Sequence, residues 1–307
     1  MRVSTRGYNS DIVRSLARAQ QDLRRLSRQL SSGKRLTRPS DDPVAVSAII
    51  NARADLAKVV NRQKVLQRAV RLTGPADTAL GNMATALRAV RDIALACTQP
   101  GLTQAARASQ AAIVRSHRNR IFDEANAAAQ GEYLFAGKLS RTRPFEDAAG
   151  GVVYNGDSEG MELWVAPGRP MEVTIPGDRL FNFTDAGGAR AVPEVDSDLF
   201  TLLDGLAEAI EAGDDNAVVG LAEDIDRLHH HVVEQRGVLG ARVQRVEDAQ
   251  RSAAAAEVAA REVLSDTEDV DVAEALMELQ HQQVCYQAAL AATSKLSQIP
   301  TLFELSW

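Results

Sequence analysis

The sequence predicts a mainly α-helical protein, a long helical bundle or coiled coil formed by the N- and C-terminal halves of the chain, with a small β-rich domain inserted between them. Three observations predict this. Near both ends, apolar residues recur in alternating steps of three and four, the spacing of a coiled-coil seam. Residues 131–193 hold 10 of the 20 glycines, 5 of the 10 prolines and most of the Tyr and Phe, so composition changes sharply there. Aromatic residues make up only 4% of a 307-residue chain that is 45% apolar. Much of that apolar content is alanine, which suits helices packed closely side by side rather than a thick globular core.

The first helix carries the seam Ile12, Leu16, Ala19, Leu23, Leu26 and Leu30 and is closed by Gly33. The joint Pro39-Ser40-Asp41-Asp42-Pro43 follows. There the Asp41-Asp42 pair is read as helix capping, with Asp42 on the next helix and Pro43 at its first position, where no amide donor is required. That helix reads Ile49, Ala52, Leu56, Val59, Gln63, Leu66 and Val70 and is expected to end at Gly74-Pro75. A third reads Ala76, Leu80, Met83, Leu87, Val90 and Ala94, up to the turn Gln99-Pro100-Gly101. A fourth, weaker pattern reaches about Gln130.

Within residues 131–193 a periodicity of two appears in two short runs. Met161, Leu163 and Val165 alternate with polar or amphipathic neighbours, as do Met171, Val173 and Ile175, and Ala166-Pro167-Gly168-Arg169-Pro170 between them predicts a β-hairpin. Trp164 and Phe181 are expected to form the core of this insertion. Between Glu194 and Ile299 there is no proline, and helical patterns resume over Leu199–Ala212, Ala217 to about Leu264 and Val272–Leu296. The last carries Val272, Leu276, Leu279, Gln283, Tyr286 and Leu290 at three/four spacing.

A net charge of −6 hides a polarity: residues 1–71 carry 16 Lys/Arg against 5 Asp/Glu, and residues 194–307 carry 7 against 23. A basic arm can signal nucleic acid. Here the basic residues lie on the polar faces of helices and the chain supplies its own acidic counterpart, so no nucleic-acid partner is expected. Opposite charges are expected to meet across helix flanks when the halves pair. Exposed ion pairs contribute only about 0–1 kcal/mol each, against roughly 1.5–3 kcal/mol for a buried Leu, so burial supplies the stability and charge selects partner and register.

No catalytic, cofactor or metal site is expected. His229-His230-His231 are consecutive on a helix and point about 100° apart, whereas helical zinc ligands sit three or four residues apart. His117 and His281 are isolated, Gly237, Leu239 and Gly240 lack the Lys-Ser or Lys-Thr of a phosphate loop, and Cys97 and Cys285 read as buried or incidental thiols. No run approaches the roughly 20 apolar residues that span a bilayer. The opening Met1-Arg2-Val3-Ser4-Thr5-Arg6 lacks the apolar core of a cleaved signal, which by itself predicts a cytoplasmic protein.

Three stretches together resemble the flagellin superfamily: the N-terminal seam running into Leu30-Ser31-Ser32-Gly33-Lys34-Arg35-Leu36, then Pro39-Ser40-Asp41-Asp42-Pro43, and the C-terminal helix ending in Leu302-Phe303-Glu304-Leu305. Within it, Met1-Arg2-Val3-Ser4-Thr5, the prolines flanking the Asp pair, and Gly131-Glu132-Tyr133-Leu134-Phe135-Ala136-Gly137 resemble the hook–filament junction family more than flagellin itself. Tyr154-Asn155-Gly156-Asp157 also fits, whereas the ending Glu304-Leu305-Ser306-Trp307 differs from flagellin tails.

The resemblance implies axial helices at residues 1–40 and 266–307, an inner helical domain at 41–130 and 194–265, and an outer β-rich insertion at 131–193. It implies a bacterial structural adapter joining the hook, through hook-associated protein 1, to the flagellin filament as a homo-oligomeric ring. Export is then through the flagellar type III apparatus with an export chaperone and no cleaved signal, to an extracellular location and without membrane insertion. Ile12, Leu16, Leu23, Leu26, Leu30, Leu276, Leu279, Tyr286 and Leu290 are the expected subunit interface. Pro39, Asp41, Asp42 and Pro43 are the domain joint. A filament subunit and a cytoplasmic coiled-coil signalling module remain compatible with the same seams.

Overall fold

A computed structural model describes residues 5–297 except 37, 39–41, 100, 167 and 186. In chain order the elements are α1 (Thr5–Ser32), α2 (Pro43–Cys97), α3 (Gln104–Ala125), β1 (Ala128–Ala129), β2 (Glu132–Tyr133), β3 (Phe145–Ala148), β4 (Gly151–Tyr154), β5 (Glu162–Ala166), β6 (Arg169–Glu172), α4 (Gly177–Phe181), α5 (Leu199–Ala212), α6 (Asp215–Glu268) and α7 (Val272–Ser297). Helix dominates. The described strands pair as three antiparallel two-stranded ribbons, β1-β2, β3-β4 and β5-β6. Two compact units result, one of residues 1–59 with 255–307 and one of residues 60–254.

Helix ends follow local chemistry. Gly33, at φ +69°, takes the left-handed conformation that closes α1, a position that costs a residue with a Cβ. Asp42 Oδ1 accepts the amides of Val44 and Ala45 at 3.1 and 3.0 Å, so the carboxylate caps α2 and Pro43 sits at its first position. Thr103, Asp198 and Asp271 cap α3, α5 and α7 in the same way.

The expected break at Gly74-Pro75 does not occur, because α2 runs unbroken through Pro75. Proline there removes one backbone hydrogen bond and costs about 3 kcal/mol. Leu72, Ala76, Ala79 and Leu80 flank it and are at most 4% exposed. With roughly 1.5–3 kcal/mol for each buried Leu, packing outweighs the local penalty. The buried stripe also drifts from the strict heptad: Leu66 and Ala69 are fully buried while Val70 is 38% exposed, as expected when 3.6 residues per turn run against a 3.5 repeat.

The fourth helical pattern stops at Ala125 rather than near Gln130. Asn126 ends it, its Oδ1 accepting the Phe145 amide at 3.1 Å. Gln130 and Gly131 then both take positive φ (53° and 82°) between the paired Ala129 and Glu132. This is the two-residue hairpin turn that favours Asn-Gly, here built with Gln in the first place.

The β5-β6 hairpin forms as the alternation predicts, with Leu163 opposite Met171 and Gly168 at φ +103° in its turn. Trp164 does not enter the core: it is 62% exposed, whereas Phe181 is fully buried. Trp164 lies between Leu163 and Val165 on a strand whose successive side chains alternate faces. Val165 is buried, so the indole faces out.

The core of the 60–254 unit is continuous. Phe145 on β3 packs its ring 5.1 Å from Phe181 and Tyr154, 5.6 Å from Phe183 and 5.8 Å from Phe200 on α5. Phe200 in turn meets Phe122 on α3 edge-on at 5.8 Å. The same buried cluster takes in Leu80, Met83 and Leu87 of α2 and Ile225, Leu228 and Val232 of α6, so strands and helices share one interior.

Within it, Leu134, Phe135 and Ala136 of the Gly131–Gly137 motif are buried. Gly137 is at φ +63°, where a Cβ would collide with the Asp157 carbonyl oxygen. Tyr154 Oη donates toward the Phe135 and Asp157 carbonyl oxygens, each at 3.0 Å, and accepts from the Gly177 amide at 3.2 Å. Burial raises the pKa of this phenol. The motif that carries the family resemblance is thus a folding element.

Candidate assembly surface

In the unit of residues 1–59 and 255–307, α1 packs against α7. On α1 the predicted seam turns inward: Leu26 is 4% exposed, and Leu16, Ala19, Leu23 and Leu30 are half-buried. The side chain of Ile12 lies outside the described residues, as do Pro39 and Asp41.

On α7 the inward line is Ala275, Leu279, Gln282, Tyr286 and Ala289. It is rotated by roughly 60°, at 100° per residue, from the line read in the sequence. Leu279 and Tyr286 therefore serve the intrachain contact, while Leu276 and Leu290 are left 45% and 44% exposed at its edge. On the far face Met277 and Val284 stand 66% and 65% exposed. With apolar surface on two faces, α7 covers only one of them against its own chain among the described residues.

A joint ties the loops where α1 and α6 end. The Arg35 amide donates to the Glu268 carbonyl at 2.7 Å and the Val270 amide to the Gly33 carbonyl at 3.0 Å. Gln29 Nε2 donates to the Arg35 carbonyl at 2.6 Å. Inside this loop pair the Glu268 side chain, only 7% exposed, receives Arg53 at 2.6 Å and Lys34 at 3.3 Å. Lys34 also reaches Asp269 at 2.7 Å.

The electrostatics follow from those contacts. Hydrogen bonds from Arg53 and then Lys34 hold the Glu268 carboxyl below its ordinary pKa, and Lys34 does the same to Asp269. Their carboxylates hold the Lys34 ammonium above its own. The basic N-terminal and acidic C-terminal stretches meet here as the charge pattern predicts. Sequence reading missed Glu268 as the centre because nothing local separates it from the acidic run Asp266-Thr267-Glu268-Asp269.

The histidine run diverges. His229 is 6% exposed and neither ring nitrogen has a hydrogen-bond partner. His230 lies 3.6 Å from Asp226, and His231 Nε2 is 2.8 Å from the Arg179 carbonyl. Burial, then His230 and Arg88, push the His229 pKa down. Among the described residues no group of three or more His, Cys, Asp or Glu is placed to hold a metal ion, and no described helix is long and apolar enough to cross a membrane. Cys97 is buried, and Cys285 is exposed with its Sγ 3.6 Å from His281 Nε2.

Terminal helices that pair with each other, at the two ends of a chain whose middle is helical and β-rich, define a structural protein of the flagellin type. Residues 3–140 match the bacterial flagellin N-terminal helical region and residues 222–303 the bacterial flagellin C-terminal helical region. The chain is 27% identical over its whole length to the flagellar hook-associated protein 3 of Escherichia coli K12, all of which is covered. It is 30% identical to that of Salmonella typhimurium LT2 over 69% of this chain and 67% of the relative. The fold matches the solved flagellar junction protein FlgL of Legionella pneumophila with a TM-score of 0.57 at 16% identity, covering 72% of this chain and all of that one. The chain belongs to the flagellar hook-associated protein 3 family, structural components of the flagellum at the hook–filament junction.

Proposed function

We propose that this protein is the adapter between hook and filament, seated through hook-associated protein 1 on one side and carrying the first flagellin layer on the other. One observation supports the reading most: α7 keeps a second apolar face, with Met277 and Val284 about two-thirds exposed, after its first face is used on α1. Exposed apolar surface of this kind marks a site for further association. The copies form a homo-oligomeric ring through the terminal helices, and Leu276 and Leu290, at the edge of the intrachain contact, belong to that surface. The β-bearing segment of residues 131–193 lies on the outside of the tube.

Terminal helices without neighbours are marginal, because helical stability in proteins comes from packing an amphipathic face. The chain accordingly travels unfolded through the flagellar type III apparatus, its apolar C-terminal helix held by an export chaperone, and orders on assembly outside the cell.

Electron microscopy of a strain lacking the gene tests the adapter role. The expected result is bare hooks with normally made flagellin shed into the medium. Normal filaments, or loss of flagellin from the medium, overturns it.

A further inference from the structure

Where α2 meets the β1-β2 hairpin, arginines from three segments line one pocket of about 160 Å³. Arg68 and Arg71, three residues apart and so on one face of the helix, come from α2. Gln130 and Gly131 come from the hairpin turn and Arg141 from the loop beyond it. That loop is pinned to β2, since the Tyr133 amide donates to the Ser140 carbonyl at 2.6 Å. Glu132 is the one acidic lining residue, and Arg68 already engages it at 2.8 Å. Among the described residues Arg71 and Arg141 meet no carboxylate. We propose that this pocket binds one small oxyanion of the phosphate or sulfate class, held by Arg71 and Arg141, with Arg68 shared between the anion and Glu132.

Charge, donor geometry and size each point to that class. Three guanidiniums against one carboxylate leave the lining at +2. Like charges gathered this closely repel, and a doubly charged anion cancels the excess. A guanidinium presents a planar fork of donors that matches a pair of phosphate or sulfate oxygens. The volume is several times the roughly 10–15 Å³ that one water requires, which suits a four-oxygen anion, and lies below the roughly 300 Å³ at which sites for organic ligands begin. A bound anion would tie α2 to the turn that opens the buried Gly131–Gly137 motif. The inference is independent of the adapter role, and either stands if the other fails.

The test follows the Gln130 and Gly131 amide resonances of the full chain while inorganic phosphate, and separately sulfate, replaces chloride at constant ionic strength. Both anions should shift them saturably. Arg71→Gln and Arg141→Gln should each weaken the apparent affinity about tenfold, the effect of losing one charge-assisted pair. Glu132→Gln should strengthen it several-fold, because it frees Arg68 and raises the lining charge to +3. Misfolding could not produce that gain. Arg120→Gln removes an exposed charge of α3 outside the lining and should leave the affinity unchanged, which separates a site from general attraction.

A shift that does not saturate, or that survives both arginine substitutions at wild-type affinity, overturns the proposal. So does weaker binding in Glu132→Gln, or a loss in Arg120→Gln as large as in Arg71→Gln.

Discussion

Replacing Glu268 by Gln keeps the shape of the joint and removes its central charge. The carboxylate is 7% exposed and takes Arg53 at 2.6 Å and Lys34 at 3.3 Å, while those cations are themselves 61% and 43% exposed. Breaking a fully buried pair costs about 3–5 kcal/mol because a charge is stranded, and an exposed pair contributes about 0–1. Here the cations return to water, so the loss is confined to charge-assisted hydrogen bonds and comes to about 1–2 kcal/mol.

At 1.36 kcal/mol per factor of ten, that opens the joint roughly 5- to 30-fold more often. Amide hydrogen exchange reads this directly, since the Arg35 and Val270 amides bond across the joint to the Glu268 and Gly33 carbonyls. Their protection should fall by that factor in Glu268→Gln while amides in α5 keep theirs. Equal protection in the two proteins refutes the reasoning.

The sign of the pH dependence is fixed as well. A carboxyl held below its ordinary pKa contributes stability that is present above about pH 4.3 and lost as pH falls through the lowered folded-state value. Joint protection, corrected for intrinsic exchange, should therefore drop only under acid conditions. In Glu268→Gln the drop should shrink to the share of Asp269.

Phe145→Ala, at the hub joining β3, β4, α4 and α5, should cost about 3–5 kcal/mol; urea unfolding should show helical and β-segment signals shifting together, and an unshifted helical transition contradicts a shared interior. Leu279→Asp should remove the protein from sheared flagella, with core unfolding changed by no more than about 0.5 kcal/mol; normal incorporation on an immunoblot sinks the seam. His229 has its pKa lowered by burial, His230 and Arg88, against the opposing effect of Asp226, so its contribution is present above about pH 6.5 and lost as pH falls below. The melting temperature of His229→Leu should depend less on pH between about 6.5 and 5 than that of the wild type, and equal slopes reject the assignment.

Helix existence was legible because seams of apolar residues at three/four spacing admit few other structures, and α5, α6 and α7 lie close to where the periodicity puts them. The caps at Gly33 and Asp42 follow from local stereochemistry alone. Trp164 was misplaced because hydrophobicity does not say which face of a strand is inside; Val165 beside it settles that. The Glu268 joint was legible only as opposite charge at the two ends and not as a pairing of particular residues, since Lys34 and Glu268 lie more than two hundred residues apart in the chain.

Sequence by itself determined the helical class, the charge polarity of the two ends and the family, since periodicity, capping residues and short motifs act within one or two turns of chain. Tertiary structure decided that α2 continues through Pro75, that the β ribbons share the helices' interior, and that α7 turns Leu279 and Tyr286 inward while Met277 and Val284 stay out. Each of those outcomes depends on which distant surfaces compete for burial. A proline penalty of about 3 kcal/mol, or a helix rotation of roughly 60°, is settled by what packs alongside and not by the residues themselves.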